Sequence, residues 1–159
     1  MDYVVQLIMA FLGSAGFSML FRLRRELFLP ACFGGMLGWG VYLIGTGLIW
    51  DGIFMPTFAA SAFAAVYSEQ LAIRLRVPAT VLFIPAVVPL IPGSCLYYTM
   101  SYAVRKEWEQ AGAYWYLTIQ YALGIAIGMS LVYAIYQMRR NIHDRISDKQ
   151  SERSARGAE

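Results

Sequence analysis

Residues 79–104 read ATVLFIPAVVPLIPGSCLYYTMSYAV, an apolar block interrupted by Pro85, Pro89, Pro92 and Gly93. A membrane-crossing helix needs about 20 predominantly apolar residues to span ~30 Å of hydrocarbon, and this block is long enough. Each proline removes a backbone hydrogen bond, and its ring collides with the carbonyl four residues back. The carbonyls of Val81, Pro85 and Val88 are therefore expected to lose their helical partners. One such break can be repaired by neighbouring helices. Three prolines followed by a glycine predict instead two half-helices that meet near the bilayer midplane.

Unwound backbone at that depth is tolerated only where it is buried in protein or lines a watery cavity. Secondary transporters place binding sites at such breaks. The second half-helix is expected to begin near Pro92, a residue suited to a first helical turn. Its free amides, with the Ser94 hydroxyl, offer a partial positive end to a carboxylate. Tyr97, Tyr98 and Thr99 follow within the first turns and add hydroxyls. The candidate substrate site is thus Pro85, Pro89, Pro92, Gly93, Ser94, Tyr97, Tyr98 and Thr99. A packing kink without a ligand is the plainer reading of the same residues. A re-entrant turn is a third, but it would put the C-terminus outside and spoil the charge distribution described next.

Four further apolar blocks flank this one, at about 3–21, 28–50, 53–73 and 114–138. The expected fold is an all-α membrane protein of five transmembrane helices, with a membrane domain over 1–140 and a polar tail over 141–159. Charged residues make up 14% of the 159 residues, against roughly 25% in soluble domains. Of the 13 Lys and Arg, only Arg105 and Lys106 would lie outside if the N-terminus is outside, and 13 − 2 leaves eleven inside. The positive-inside bias therefore places the N-terminus outside and the C-terminus in the cytoplasm. Trp50, Trp108, Tyr114, Trp115 and Tyr116 then cluster at the outer interface, with Tyr133 and Tyr136 near the inner one. The net charge of +3 is accounted for by these loops and implies no nucleic-acid partner.

Met1-Asp2-Tyr3 lacks the basic start of a signal peptide, so the first block is expected to remain in the mature chain. Ile142 and Ile146, one turn apart, allow the fifth helix to continue a little, and the remaining tail reads as disordered. Cys32 and Cys95 lie in apolar blocks and read as buried hydrophobes. The one histidine, His143, lies in the tail, so no metal set or Ser/His/Asp set can be assembled and no cofactor is expected. An enzyme is accordingly disfavoured.

Two small-xxx-small pairs stand out, Gly34 with Gly38 and Gly124 with Gly128. They suit close helix packing, either inside one chain or against a partner. Glu69 is the one acidic residue set inside an apolar block. Carboxylates in membrane spans are costly and commonly mark an ion path, which makes Glu69 a candidate coupling group. Interfacial snorkelling is the competing reading. Arg74 and Arg76 are five and seven residues on, not the three or four of a favourable helix pair.

The stretch Glu69-Gln70-Leu71-Ala72, Arg74-Leu75-Arg76-Val77-Pro78-Ala79-Thr80, Pro85, Pro89-Leu90-Ile91-Pro92-Gly93 and Tyr97 resembles the threonine/serine exporter family, in particular its C-terminal membrane half. Gly16-Phe17 with Phe21 fits more loosely. The resemblance implies about ten helices in two dissimilar halves, encoded separately in many bacteria, this chain being similar to the smaller subunit. It further implies proton-driven export of threonine- and serine-type amino acids across the bacterial inner membrane, with a second membrane subunit resembling the N-terminal half. Some two-subunit members are linked instead to dicarboxylates such as succinate. Carried over, Pro85, Pro89, Pro92 and Gly93 form the site backbone and Glu69 is the coupling candidate. The rivals are a non-transporting scaffold subunit and a homo-oligomeric channel.

Overall fold

The computed structural model describes the backbone of residues 3–49 and 52–156, with side chains through Arg139 except at Leu48. Trp50, Asp51 and the side chains of the tail, His143 among them, lie outside the described residues. Six helices follow one another: α1 (Tyr3–Leu20), α2 (Arg25–Ile44), α3 (Phe54–Leu75), α4 (Ala79–Val87), α5 (Gly93–Val104) and α6 (Trp108–Arg156). One π-helical turn, Gly45–Ile49, extends α2, and one 3-10 turn, Val88–Leu90, extends α4. Helix α6 is longer than the expected 114–138 at both ends, and the stretch read as a disordered tail carries helical backbone through Arg156.

Helix α3 is the centre of the bundle, packed against α2, α4 and α6, while α1 lies on α2. Its buried residues are Pro56, Thr57, Ala60, Ser61, Ala64, Ala65, Ser68 and Ala72, small side chains that recur every three or four positions. Lipid tails supply no hydrophobic drive between helices, so small residues that admit a neighbouring backbone hold such bundles together. The Ser61 hydroxyl shows how close that approach is, donating 3.1 Å to the Gly124 carbonyl of α6.

Both glycine pairs are spent inside the chain. A Cβ on Gly128 would come within 2.8 Å of the Phe58 carbonyl and also meet the Ser61 side chain, and one on Gly124 would meet Thr57 at 3.1 Å. On Gly34 it would meet Tyr67 at 2.9 Å and Ala86 at 3.1 Å, and on Gly38 it would reach Ala64 at 3.8 Å. Neither pair is thus left free for a partner. Helix α1 docks through a third stripe, Ala10, Ser14 and Ser18, with Ser14 filling the place that a Cβ on Gly35 would take.

The exterior is apolar, as a lipid-facing surface must be. Leu12, Leu37, Leu123, Ile127, Leu131 and Ile135 are all exposed. Three helices are long and apolar enough to cross a membrane, Tyr3–Leu20, Arg25–Gly47 and Trp108–Arg139. A fourth crossing is reached if Ala79–Leu90 and Gly93–Val104, bent by 54°, count as one span. Among the described residues, length and composition thus identify three or four spans of the five expected. The difference is α3, which has 22 residues but carries Thr57, Ser61, Ser68, Glu69, Gln70 and Arg74. Thr57, Ser61 and Ser68 are fully buried small residues at its contacts, so part of this polar content serves close helix packing.

Candidate functional site

The chain between α4 and α5 unwinds where the prolines stand. Pro85 and Leu90 are fully buried, so the first half of the break is anchored in the core formed with Tyr42, Ala60, Ala64 and Phe83. Ile91 then leaves the helix with extended backbone, φ −69° and ψ 124°. At Pro92 (φ −79°, ψ 59°) the chain makes an inverse γ-turn, closed by the Gly93 amide donating 2.8 Å to the Ile91 carbonyl. The Val88 carbonyl, expected to lose its partner, accepts instead from the Ile91 amide at 3.1 Å, because the 3-10 turn shortens the loop by one residue.

Helix α5 starts without a side-chain cap. Its first amide to donate along the helix is that of Leu96, to the Pro92 carbonyl at 3.1 Å. The amides of Ser94 and Cys95 are therefore the orphan donors of a helix start. Gly93 and Ser94 are exposed, and a Cβ at Gly93 would meet nothing within 4 Å. No residue of α5 is buried, and the helix lies against α6.

The expected site residues are not all gathered at one place. Pro85 is in the core. Pro89 faces α1 and α2, lining a cavity of about 300 Å³ with Gln6, Met9 and Trp39. Pro92, Gly93 and Ser94 form the open turn. Tyr97 and Tyr98 are exposed, and Tyr98 belongs to an aromatic group with Tyr102 and Tyr114 at ring separations of 5.2–6.2 Å. The Thr99 hydroxyl is occupied by the Cys95 carbonyl one turn back, at 2.8 Å.

Glu69 stands elsewhere, at the other end of α4. It is half-buried and lines two adjoining cavities, about 650 Å³ and about 410 Å³, between α3, the start of α4 and α6. The two share Glu69, Pro78, Ala79 and Tyr136, so they form one groove. Arg76 lines the first, and Thr80, Tyr133 and Gln137 line the second. The Tyr136 hydroxyl accepts from Gln70 Nε2 at 2.8 Å, which fixes that side of the groove. The Tyr133 hydroxyl is buried without a hydrogen-bond partner.

Sequence reasoning found Glu69 but not its surroundings. Arg76 misses the three- or four-residue spacing of a helix pair, yet seven residues is two turns and returns to the same helix face. Tyr133 and Tyr136 were read as interfacial anchors, although their three-residue spacing puts both on one face of α6, turned to the groove.

A family model described as Threonine/Serine exporter, ThrE matches residues 6–135, a stretch that contains Glu69, Arg76 and the whole proline break. No curated protein and no solved structure matches the chain. An apolar-surfaced helical bundle, a span broken by prolines with an open helix start, and a match over most of the sequence agree with one another: the chain belongs to the threonine/serine exporter family.

Proposed function

We propose that the chain is one half of a proton-coupled secondary exporter of small carboxylate-bearing metabolites, threonine- and serine-type amino acids first among them. It sits in the bacterial inner membrane with five spans, N-terminus outside and C-terminus in the cytoplasm. The observation that carries this reading is the open turn at Pro92–Ser94. Uncapped backbone amides facing lipid cost several kcal/mol each, so this turn calls for a polar solute, a covering protein or both. A complementary membrane half supplies the cover, and a carboxylate satisfies the Ser94 and Cys95 amides. Glu69, on the cytoplasmic side, is the group whose protonation couples export to the proton gradient.

Vesicles holding this chain, the complementary half, or both, loaded with labelled threonine or succinate, test the proposal. Threonine efflux that appears with both halves together and stops when the proton gradient is collapsed is the expected result. Efflux of succinate but not threonine selects the dicarboxylate version. No efflux of either solute from any preparation removes the exporter reading and favours a scaffold. Conductance from this chain alone would identify a channel.

A further inference from the structure

We infer that the groove around Glu69 is a loading site for a dipolar solute, in which Glu69 holds an ammonium group and Arg76 a carboxylate. The inference rests on the exporter reading but concerns a place distinct from the proline break. Helix α4 and its 3-10 turn, Ala79–Leu90, separate the two, a rise of roughly 18 Å for twelve residues. On the orientation the arginines favour, the groove is the cytoplasmic mouth, the end from which an exporter must load.

Three observations converge. The two linked cavities, of about 650 and about 410 Å³, fall in the size range of ligand pockets, ≈ 300–1,000 Å³. Opposite charges line the larger one, and neither is spent on the other. Among the described residues the one ion pair is Arg24 with Glu26, and none joins Glu69 to Arg76 across the groove that both line. The Tyr133 hydroxyl, buried beside Glu69 without a partner, is a third polar group with no protein ligand. A carboxylate within a membrane span usually faces a cavity, a partner or an ion path. A solute with both charges relieves both residues at once. A simple cation would leave Arg76 unpaired, and a dicarboxylate would be repelled by Glu69.

Arg76 also occupies a position that its own backbone disfavours. It ends α3 in the left-handed conformation, φ 54° and ψ 46°, where glycine would be less strained. This makes Arg76→Gly a variant that removes the guanidinium while easing the backbone. Among the described residues, the charged and titratable groups that line the groove with Glu69 are Arg76 at the end of α3 and Tyr133 and Tyr136 on α6. A carboxylate that pairs with an ammonium cannot carry a proton at the same time.

Equilibrium binding of labelled threonine to the full chain, reconstituted with its complementary half, is the test. Glu69→Gln and Arg76→Gly are each expected to weaken binding at least about tenfold, the effect of removing one member of a charge pair, while Arg76→Lys retains most of it. N-acetylthreonine, which lacks the cation, should fail to compete on the wild type. The melting temperature of Arg76→Gly should be no lower than that of the wild type. Threonine affinity within twofold of wild type in Arg76→Gly, or full competition by N-acetylthreonine, overturns the inference. If Glu69→Gln does not fold, Arg76→Gly decides alone. Wild-type efflux with affinity unmoved by either variant would sink the groove and leave the exporter reading intact. Charge-dependent binding without efflux would do the reverse.

Discussion

At the scale of single residues, the bundle is set by where side chains are missing. Gly128 sits so near the Phe58 carbonyl that one added carbon forces a backbone shift, whereas Gly16 faces open space. Overpacking of this kind costs about 1–3 kcal/mol, so Gly128→Ala should lower unfolding stability in detergent by that amount. Gly16→Ala should change little or stabilise slightly, because glycine in a helix interior is roughly 0.5–1 kcal/mol worse than alanine. Equal effects of the two would contradict the assigned packing. The pattern Gly-xxx-Gly was legible in the sequence, but its partner was not. Two helices with the same spacing can meet each other or a third, and only the bundle shows that α3 takes both pairs. The Ala10, Ser14 and Ser18 stripe passed unnoticed because serine does not register as a packing residue amid apolar neighbours, although in lipid a small side chain is what close approach requires.

At the scale of elements, the broken helix and α3 decide the topology. The break was readable because proline chemistry is local: a missing amide and a ring clash hold whatever the neighbours do. The γ-turn at Pro92 and the 3-10 rescue of the Val88 carbonyl were not readable, since several backbone paths satisfy the same prolines. A 54° bend suits a broken span or a re-entrant turn, and the two differ in where α6 begins. In a variant with Cys32 and Cys95 replaced by alanine, a cysteine at Gly112, exposed near the start of α6, should react with an impermeant thiol reagent in intact cells. One at Arg139 should react only after permeabilisation. The opposite pattern, with a cysteine at Tyr3 still labelled from outside, would show that α4 and α5 return to one side. Helix α3 illustrates a converse limit. Thr57, Ser61 and Ser68 lower its hydropathy yet are buried at helix contacts, a consequence of tertiary packing that no window along the chain contains.

At the scale of the molecule, apolar composition and charge placement pointed directly to the membrane, since both follow from the solvent rather than from contacts. The division into two functional places did not. Glu69 and the break lie at opposite ends of α4, and the groove needs residues from α3, α4 and α6 that are up to 68 positions apart (Glu69 to Gln137). The two differ in kind: a groove lined by opposite charges at one end, and at the other an uncapped helix start where a Cβ on Gly93 meets nothing within 4 Å.

That turn is the central claim, and Gly93 tests it most directly. A Cβ there meets nothing within 4 Å and Gly93 is exposed, so Gly93→Trp is expected to insert and melt like the wild type. Threonine efflux by vesicles containing both halves should nevertheless fall by at least about tenfold, equivalent to ~1.4 kcal/mol, because the indole occupies the space left for solute and partner. Efflux at the wild-type rate from a correctly inserted Gly93→Trp protein would contradict the account.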